Sequence, residues 1–470
     1  MPGEVTRRGF LGTSAAAVLA AGGLYELVDA IAAPARAAAA SGAPAPPQQH
    51  VLLDVPVIVD NAVEVVVPPL HHQLVTAKVR VAGTAAALRA AQRELEQALS
   101  AVDRSFAPTP AGLGLAVGWG LPYFERCVPG QWKRYAPRDL RAGTPALLNA
   151  IRFPSDPFYA ILERNDVVFQ LRSDSLAHIA RGAEAIFSAL DGMFEVTSIR
   201  RGFVGGGFGG KQSLPKQMAV KAGILGADRI PDTAQLFLGF TSTQRAALGP
   251  DPIANLETLP GLTDQWPHGY FRHGTTMHVS HLYLDLVQWY GEFDFDERIW
   301  AAFRPGLKIP IGTRTLPEDA GAVESVADVI GDRETRGLTG HSAAMQPATR
   351  LAAETVDNYG NVYPAGTAVI QRPDFDTLDS PFAWTSQPFR DRWSAHPSAG
   401  LHFVAFAPTS DTFHRARLAM DGRYADGTVV PGDPHSAQTG FNSVLLTTHR
   451  QNFLVPPRRH RSFPLAELRA

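Results

Sequence analysis

The sequence has a single cysteine, Cys127, among its 470 residues. An internal disulfide is therefore excluded. Metal sites built from several thiolates and iron–sulfur clusters are excluded as well, because they need more than one cysteine. A metal would have to be held by histidine or carboxylate side chains, or arrive inside an organic cofactor.

Charge is also scarce, and it is balanced. Charged residues make up 19% of the sequence, and the formal net charge is −2. The chain thus lacks the basic field typical of nucleic-acid-binding proteins and the polybasic patch typical of membrane-surface proteins. The hydrophobic fraction of 45% is ordinary for a globular protein. We expect a globular protein that does not bind nucleic acid.

The N-terminus has the pattern of an export signal. Arg7 and Arg8 precede Gly-Phe-Leu and a weakly apolar, Ala-rich run over residues 14–24. This run is too short and too rich in Ala and Gly to span a bilayer stably. Ala35-Arg36-Ala37 offers small residues to a signal peptidase. We predict a twin-arginine signal over residues 1–40, a periplasmic or extracellular location and no integral membrane span after signal removal. The alternative is the basic start of an ordinary helix.

Hydrophobic periodicity predicts the order strand, helix, strand, strand, helix, strand in the first half of the chain. Residues 74–81 alternate between apolar and polar side chains, as a half-buried strand does. Thr84 then opens a helix whose apolar residues share one stripe. A second helix, capped by Asp174, precedes the last strand. We expect the other strands at residues 113–119, 167–171 and 194–199.

A similar order recurs in the second half. We expect its strands at residues 277–286, 367–371, 401–406 and 442–447, and helices at 296–303 and 412–420. Two copies of a split βαβ pattern predict an α+β fold made of two ferredoxin-like halves, with antiparallel sheets and outer helices. We assign residues 70–235 to the first half and 236–470 to the second, after a Pro/Ala-rich linker and leading segment over 41–69. The oligomeric state is left open, with a homo-oligomer as one option.

Several segments resemble, in the same order, those of the dye-decolorizing peroxidase superfamily. The resemblance implies a dimeric-α/β-barrel-type fold, a haem b cofactor bound in the second half, and oxidation of a small-molecule donor by hydrogen peroxide. It rests on residues 114–124, 166–172, 236–240, 274–279 with Trp289, 401–406 and 453–457.

The resemblance also implies an iron ligand. The segment Gly340-His341-Ser-Ala-Ala-Met-Gln-Pro347 is similar to the histidine-led segment of the family. His341 would then bind the haem iron as a neutral imidazole. The alternative is a surface-loop histidine.

Two further residues follow from the same resemblance. Arg372, in Val-Ile-Gln-Arg, is the counterpart of an arginine close to the peroxide, although residues 357–365 look like an insertion between it and His341. A cation there would stabilise charge on the departing oxygen. Phe240 is expected to contact the cofactor. The alternative for Arg372 is a cation that only solvates the end of a strand.

The chain departs from the family pattern at Ser242. The family has an aspartate here that shuttles the peroxide proton, and a serine hydroxyl cannot hold a proton reversibly near neutral pH. A carboxylate such as Asp251 could compensate in part. Three hypotheses remain. The first is an exported haem-dependent peroxidase-like oxidoreductase with Arg372 and Ser242 at its catalytic centre. The second is a non-catalytic relative that binds haem or porphyrin, or no haem at all, and the third is an enzyme that works without haem.

Overall fold

The computed structural model describes residues 24–29, 31–32, 44–205, 212–316, 325–380, 396–431 and 439–469. The twin-arginine motif and residues 35–37 lie outside this part of the chain. No helix within the described ranges is both long enough and apolar enough to cross a membrane.

Nine of the strands form one large sheet that closes on itself. Their order is β10-β14-β13-β9-β3-β8-β4-β15-β7, and β10 also pairs with β15, so that eight strands make a closed barrel with β7 at its side. The pairs around the barrel are antiparallel. The strands are β1 Val57–Asp60, β2 Val63–Val66, β3 His71–Val79, β4 Gly114–Trp119, β5 Arg138–Asp139, β6 Thr144–Pro145, β7 Ile161–Leu162, β8 Val167–Ser173, β9 Phe194–Phe203, β10 Thr275–Leu284, β11 Thr355–Val356, β12 Val362–Tyr363, β13 Phe375–Thr377, β14 Gly400–Ala407 and β15 Leu445–Val455.

The helices surround this barrel. They are α1 Ala85–Ser105, α2 Leu121–Cys127, α3 Pro129–Tyr135, α4 Leu176–Phe187, α5 Leu214–Lys221, α6 Leu286–Gly291, α7 Phe295–Ala302, α8 Val326–Arg336, α9 His341–Thr349 and α10 Ser410–Met420. Residues 24–29 and 31–32 form a further helical stretch.

The two halves of the barrel have the same strand order. In the first half, β9, β3, β8 and β4 lie side by side; in the second, β13, β14, β10 and β15 do. Numbered within each half, both orders place the fourth strand beside the first and the second beside the third, as in ferredoxin-like folds. The α+β fold class predicted from the sequence is confirmed.

The strands and the two helices predicted for the first half are present, with one exception in their caps, and the short helices α2, α3 and α5 were not predicted. Thr84 caps α1, and Leu88, Ala91, Leu95, Leu99 and Val102 form its buried stripe. The exception concerns α4, which is capped by Ser175, whose hydroxyl accepts from the His178 N–H. Asp174 instead accepts from the N–H of Leu70, because its side chain turns toward the start of β3.

The second half differs from prediction at two strands. Residues 367–371 make only single bridges, because Ala368 pairs with Arg350 and Gln371 pairs with Phe406 of β14. The predicted strand there was wrong. The last strand, β15, was expected at 442–447 but runs from Leu445 to Val455.

Two seams join the halves, and each rests on a single residue pair. Phe203 of β9 pairs with Asp376 of β13, and Trp119 of β4 pairs with Leu454 of β15. The remaining strand pairs around the barrel have at least three residue pairs each. The seams are therefore the places where the sheet itself holds the halves together least.

Segments near the N-terminus bridge both seams. The hydroxyl of Tyr25, which is 2% exposed, lies 3.1 Å from the Arg201 carbonyl of β9 and 3.2 Å from Thr377 Oγ1 of β13. At the other seam, Gln49 exchanges hydrogen bonds with the main chain of Val117 in β4 and donates to the carbonyl of Pro456 after β15. Parts of the predicted signal and linker thus pack against the folded body.

Candidate functional site

A cavity of about 250 Å³ lies in the second half, between the outer face of its sheet and the helices α9 and α10. Ser280, Leu282 and Phe403 line it from the strands. The four residues proposed from the sequence, Phe240, Ser242, His341 and Arg372, also line this one cavity. The fold therefore brings together side chains that are up to 132 positions apart in the chain.

His341 is the first residue of α9. Its ring lies against Phe441, with the ring centroids 4.5 Å apart. Burial, with a contribution from the cations of Arg417 and Arg372, lowers the pKa of His341 to about 3, so the imidazole is neutral at physiological pH. The described part of the chain offers it no hydrogen-bond partner. A neutral imidazole at a cavity wall is suited to bind a metal ion.

Two glycines position this histidine. A Cβ atom added at Gly340 would lie 2.1 Å from the carbonyl oxygen of Phe303, to which the N–H of Ala343 donates. Gly440 has a φ of +53°, and a Cβ atom there would lie 2.9 Å from the Cβ of His341. The start of α9 is thus fixed by close main-chain contacts on both sides.

Phe240 and Ser242 belong to a wall without regular secondary structure. Trp289 donates to the Leu238 carbonyl at 3.0 Å, and the hydroxyl of Tyr290 donates to the Phe237 carbonyl at 2.6 Å. Phe240 packs against Phe303, with ring centroids 5.0 Å apart. The wall is therefore anchored by aromatic side chains of α6.

Arg372 lies beside Ser242. Its Nη2 donates to the Ser242 and Ala247 carbonyls, both at 3.2 Å. Arg350 donates to the carbonyls of Ala246 and Gly366. In the described part of the chain, these two guanidinium groups bond only to main-chain carbonyls, so their positive charge is not neutralised by an ion pair.

The residues predicted to form an insertion before Arg372 form part of a small hairpin. β11 and β12 pair through Thr355 with Tyr363 and through Val356 with Val362. The extra length between His341 and Arg372 is taken up by this hairpin, and both residues still reach the same cavity.

The charges around the cavity are strongly asymmetric. The described lining includes five arginines and one carboxylate, Asp374. Arg417 and Arg450 share Asp156, at 3.6 Å and 2.6 Å, and Arg304 pairs with Asp332 at 3.1 Å. The asymmetry favours an anionic ligand. The arginines are Arg304, Arg350, Arg372, Arg417 and Arg450.

Asp374 is the residue that the sequence analysis missed. Residues 368, 370, 372 and 374 all line the cavity, because alternate side chains of an extended segment share one face. Arg372 was already a candidate. Because every second residue of an extended segment lies on the same face, Asp374 could have been inferred from Arg372. Asp251, the carboxylate suggested from the sequence, does not line the cavity: its charge interacts with Arg172 on β8, and its side chain accepts a hydrogen bond from Gln371, the residue before Arg372.

The lining fits haem. Haem needs an axial ligand, apolar contacts for its ring and cations for its two carboxylates. His341 supplies a neutral imidazole, Phe240 and Phe441 supply aromatic surface, and Arg350 supplies positive charge for a carboxylate. Within the described residues, no group of three or more His, Cys, Asp and Glu side chains is arranged to hold a bare metal ion.

Comparison with solved structures gives similarities to peroxidases of the dye-decolorizing type. A protein assigned to this type from Shewanella oneidensis is 12% identical, with 86% of this chain and 96% of that chain covered and a TM-score of 0.49. A DypB variant from Rhodococcus jostii, in complex with heme, is 15% identical, with 84% and 96% covered and a TM-score of 0.46. A peroxidase from Bacteroides thetaiotaomicron is 11% identical, with 88% and 98% covered and a TM-score of 0.46.

These proteins are of the superfamily that the sequence motifs resemble. Comparison with curated proteins found no match. The model of a family of unknown function, DUF7405, matches residues 69–457, most of the chain. The chain belongs to the DUF7405 family.

Proposed function

We propose that this protein binds haem b in the second-half cavity, with His341 as the iron ligand, and acts as a peroxidase-like oxidoreductase that uses hydrogen peroxide on a small-molecule donor. The observation that supports this most directly is the neutral imidazole of His341, which faces a cavity that also contains Arg372. The donor is unidentified.

Each residue has a stated task in this proposal. Haem, when bound, supplies the redox chemistry. The guanidinium of Arg372 stabilises negative charge that develops on an oxygen atom of the peroxide. Arg350 offers a second cation for a carboxylate of the ligand. The apolar lining around Phe240 excludes water, which strengthens these interactions.

The proposal includes export by the twin-arginine route to the periplasm or the extracellular space. It is supported by Arg7 and Arg8 before a weakly apolar run. A protein that folds around a cofactor before export is a reasonable passenger for that route.

A second candidate function is favoured by Ser242. A serine in place of the family's aspartate suits a protein that binds haem or porphyrin without turning over peroxide, or a relative that has lost haem. The two candidates differ in whether the haem-loaded protein turns over peroxide.

Haem binding is tested by adding haem to purified protein and recording the Soret band. We expect stoichiometric uptake, loss or a marked shift of the band in His341→Ala, and recovery of the band in His341→Gly when free imidazole is added. His178→Ala, on α4 in the first half, is the control and should bind haem as the wild type does.

Either of two results would contradict the proposal. One is the absence of haem uptake by the folded wild type. The other is an unchanged Soret band in His341→Ala. Peroxide-dependent oxidation of a dye by the haem-loaded wild type then separates the candidates, because the non-catalytic relative would show none above free haem.

A further inference from the structure

Asp374 is the only carboxylate in the described lining of the cavity, and its surroundings set it apart from an ordinary buried aspartate. Its side chain is 4% exposed, and its Oδ1 atom has no hydrogen-bond partner among the described residues. A buried carboxylate oxygen without a partner is costly. Because Asp374 lines the cavity, its carboxylate group lies close to any ligand bound there.

The neighbours of Asp374 are Arg372 on the same extended segment and Ser242 on the facing wall. Burial raises the pKa of Asp374 to about 6, while the Arg372 cation and the nearby Ser242 hydroxyl partly offset this rise. Ser242 Oγ itself makes no hydrogen bond of good geometry with the described residues. Asp376, two residues on, is a further buried carboxylate, and its pKa is raised by burial and by Asp374.

The geometry of residues 368–374 explains why the Asp374 carboxylate lies next to Ser242. Residues 368–374 run extended along the cavity, so Arg372 and Asp374 face it together. Arg372 Nη2 donates to the Ser242 carbonyl, which fixes the distance between this segment and the wall that carries Ser242. The Asp374 carboxylate and the Ser242 hydroxyl thus lie beside the Arg372 guanidinium.

We propose that Asp374 is the catalytic acid–base residue of this cavity, and that it accepts and returns the peroxide proton that Ser242 cannot hold. The inference rests on the proposed function and deepens it, because it gives the cavity the proton-exchanging group that a peroxidase needs. Ser242 then orients Asp374 or a water molecule by hydrogen bonding.

The proton balance is simple. Hydrogen peroxide gives one proton to the Asp374 carboxylate, which leaves HO₂⁻ and a neutral carboxylic acid. The proton then goes to the oxygen atom that departs as water when the O–O bond breaks, and Asp374 is a carboxylate again. The two electrons and the second oxygen atom belong to the chemistry that haem supplies. Arg372 stabilises the departing oxygen meanwhile.

The first arm of the test needs no haem. Infrared difference spectra of the haem-free protein between pH of about 4 and 8 report the titration of buried carboxyl groups. We expect a component near pH 6 that loses the contribution of one carboxyl group in Asp374→Asn and keeps that of Asp379, whose pKa burial also raises to about 6. In Ser242→Ala this component should move to higher pH, because the hydroxyl lowers the pKa of Asp374. The component should persist in Glu257→Gln, whose buried carboxylate lies outside the cavity. An unchanged titration in Asp374→Asn overturns the inference.

The second arm uses the haem-loaded protein and the rate of the first spectral change after peroxide is added. We expect Asp374→Asn to slow this change by about 10²–10⁴-fold with an unaltered resting Soret band, and Asp374→Glu to recover part of the rate. Glu257→Gln should react as the wild type does. The double variant Ser242→Asp with Asp374→Asn should also recover activity, because it returns a carboxylate to the same place.

The outcomes separate the two proposals. A wild-type rate in Asp374→Asn, with haem bound, overturns the role of Asp374 and leaves haem binding intact. Absence of haem uptake overturns the proposed function and, with it, the role of Asp374 toward peroxide, whatever the infrared titration shows. Loss of rate together with loss of the titration near pH 6 supports both.

Discussion

The two halves of this protein share a strand order and differ in what covers their sheets. In the first half, α1 and α4 pack directly on the outer face through fully buried side chains such as Leu95 and Ile179. In the second half, α9 and α10 lie over a cavity, which the strands line with apolar side chains such as Leu282 and with polar ones such as Ser280 and Arg450.

The difference shows that two halves with the same strand order can serve different purposes, one stability and the other ligand binding. A sheet covered by closely packed helices gains stability from apolar burial. A sheet whose covering helices enclose a cavity gives up part of that gain and can hold a ligand instead. We therefore expect the first half to supply most of the stability and the second half to supply the chemistry.

The largest effect expected from this comparison concerns two leucines. Leu95→Ala, on α1, should lower the free energy of unfolding by about 2–5 kcal/mol, because it leaves a void in a closed core. Leu282→Ala, at the cavity wall of the haem-free protein, should cost clearly less, since no new closed void is formed. Chemical denaturation measures both values, and equal losses would refute the division of tasks.

The second prediction uses pH. Burial, with a smaller contribution from Arg172, lowers the pKa of His72, inside the barrel, to about 3 from 6.5. The stability that this neutral histidine provides is full above pH 6.5 and is lost as pH falls toward 3. The slope is about 1 kcal/mol per pH unit. Asp374 has the opposite effect, because burial raises its pKa in the folded protein to about 6 from 3.8. The stability that its protonated form provides is therefore full below pH 3.8 and is lost as the pH rises through 6.

Denaturation of variants across this pH range separates the two groups. His72→Gln should flatten the loss of stability between pH 6.5 and 3, whereas Asp374→Asn should raise stability above pH 6. His268→Gln, at an exposed position, is the control. A pH dependence that survives unchanged in His72→Gln would show that this histidine does not set it.

The smallest effect concerns the seam between β9 and β13. Tyr25→Phe keeps the ring and removes the hydroxyl that lies near Arg201, Thr377 and the Leu378 N–H. We expect a loss of about 1–3 kcal/mol, because buried polar groups are left without a partner. Hydrogen exchange at the seam amides should rise as well. Tyr424→Phe, at an exposed ring, is the control and should change neither quantity.

How much the sequence could predict depended on how local each signal was. Strand β3 and the start of helix α1 follow from periodicity within a few residues. The strand was predicted at residues 74–81 and runs over His71–Val79, and Thr84 caps the helix as predicted. The segment 367–371 was misjudged because its apolar pattern is that of a strand, while its partners lie at two separate places in the chain.

The site shows the same limit. His341 and Arg372 could be nominated from motifs, and the structure places both at one cavity, although their roles stay predictions. Asp374 carries no motif of its own and becomes a candidate only when the extended segment shows which side chains share a face. Which carboxylate faces Ser242 is a property of the folded chain, and Asp251 was the wrong candidate.

The bridging of the seams by N-terminal residues has a consequence for maturation. Tyr25 lies within the predicted export signal, whereas Gln49 lies beyond it, so a cut after Ala37 would remove the bridge between β9 and β13 and keep the one between β4 and β15. The strand β13 continues directly from the segment that carries Arg372 and Asp374. That wall of the cavity would then be held by more contacts in the precursor than in the mature protein. Removal of the signal would then change the contacts that hold the site as well as complete the transport.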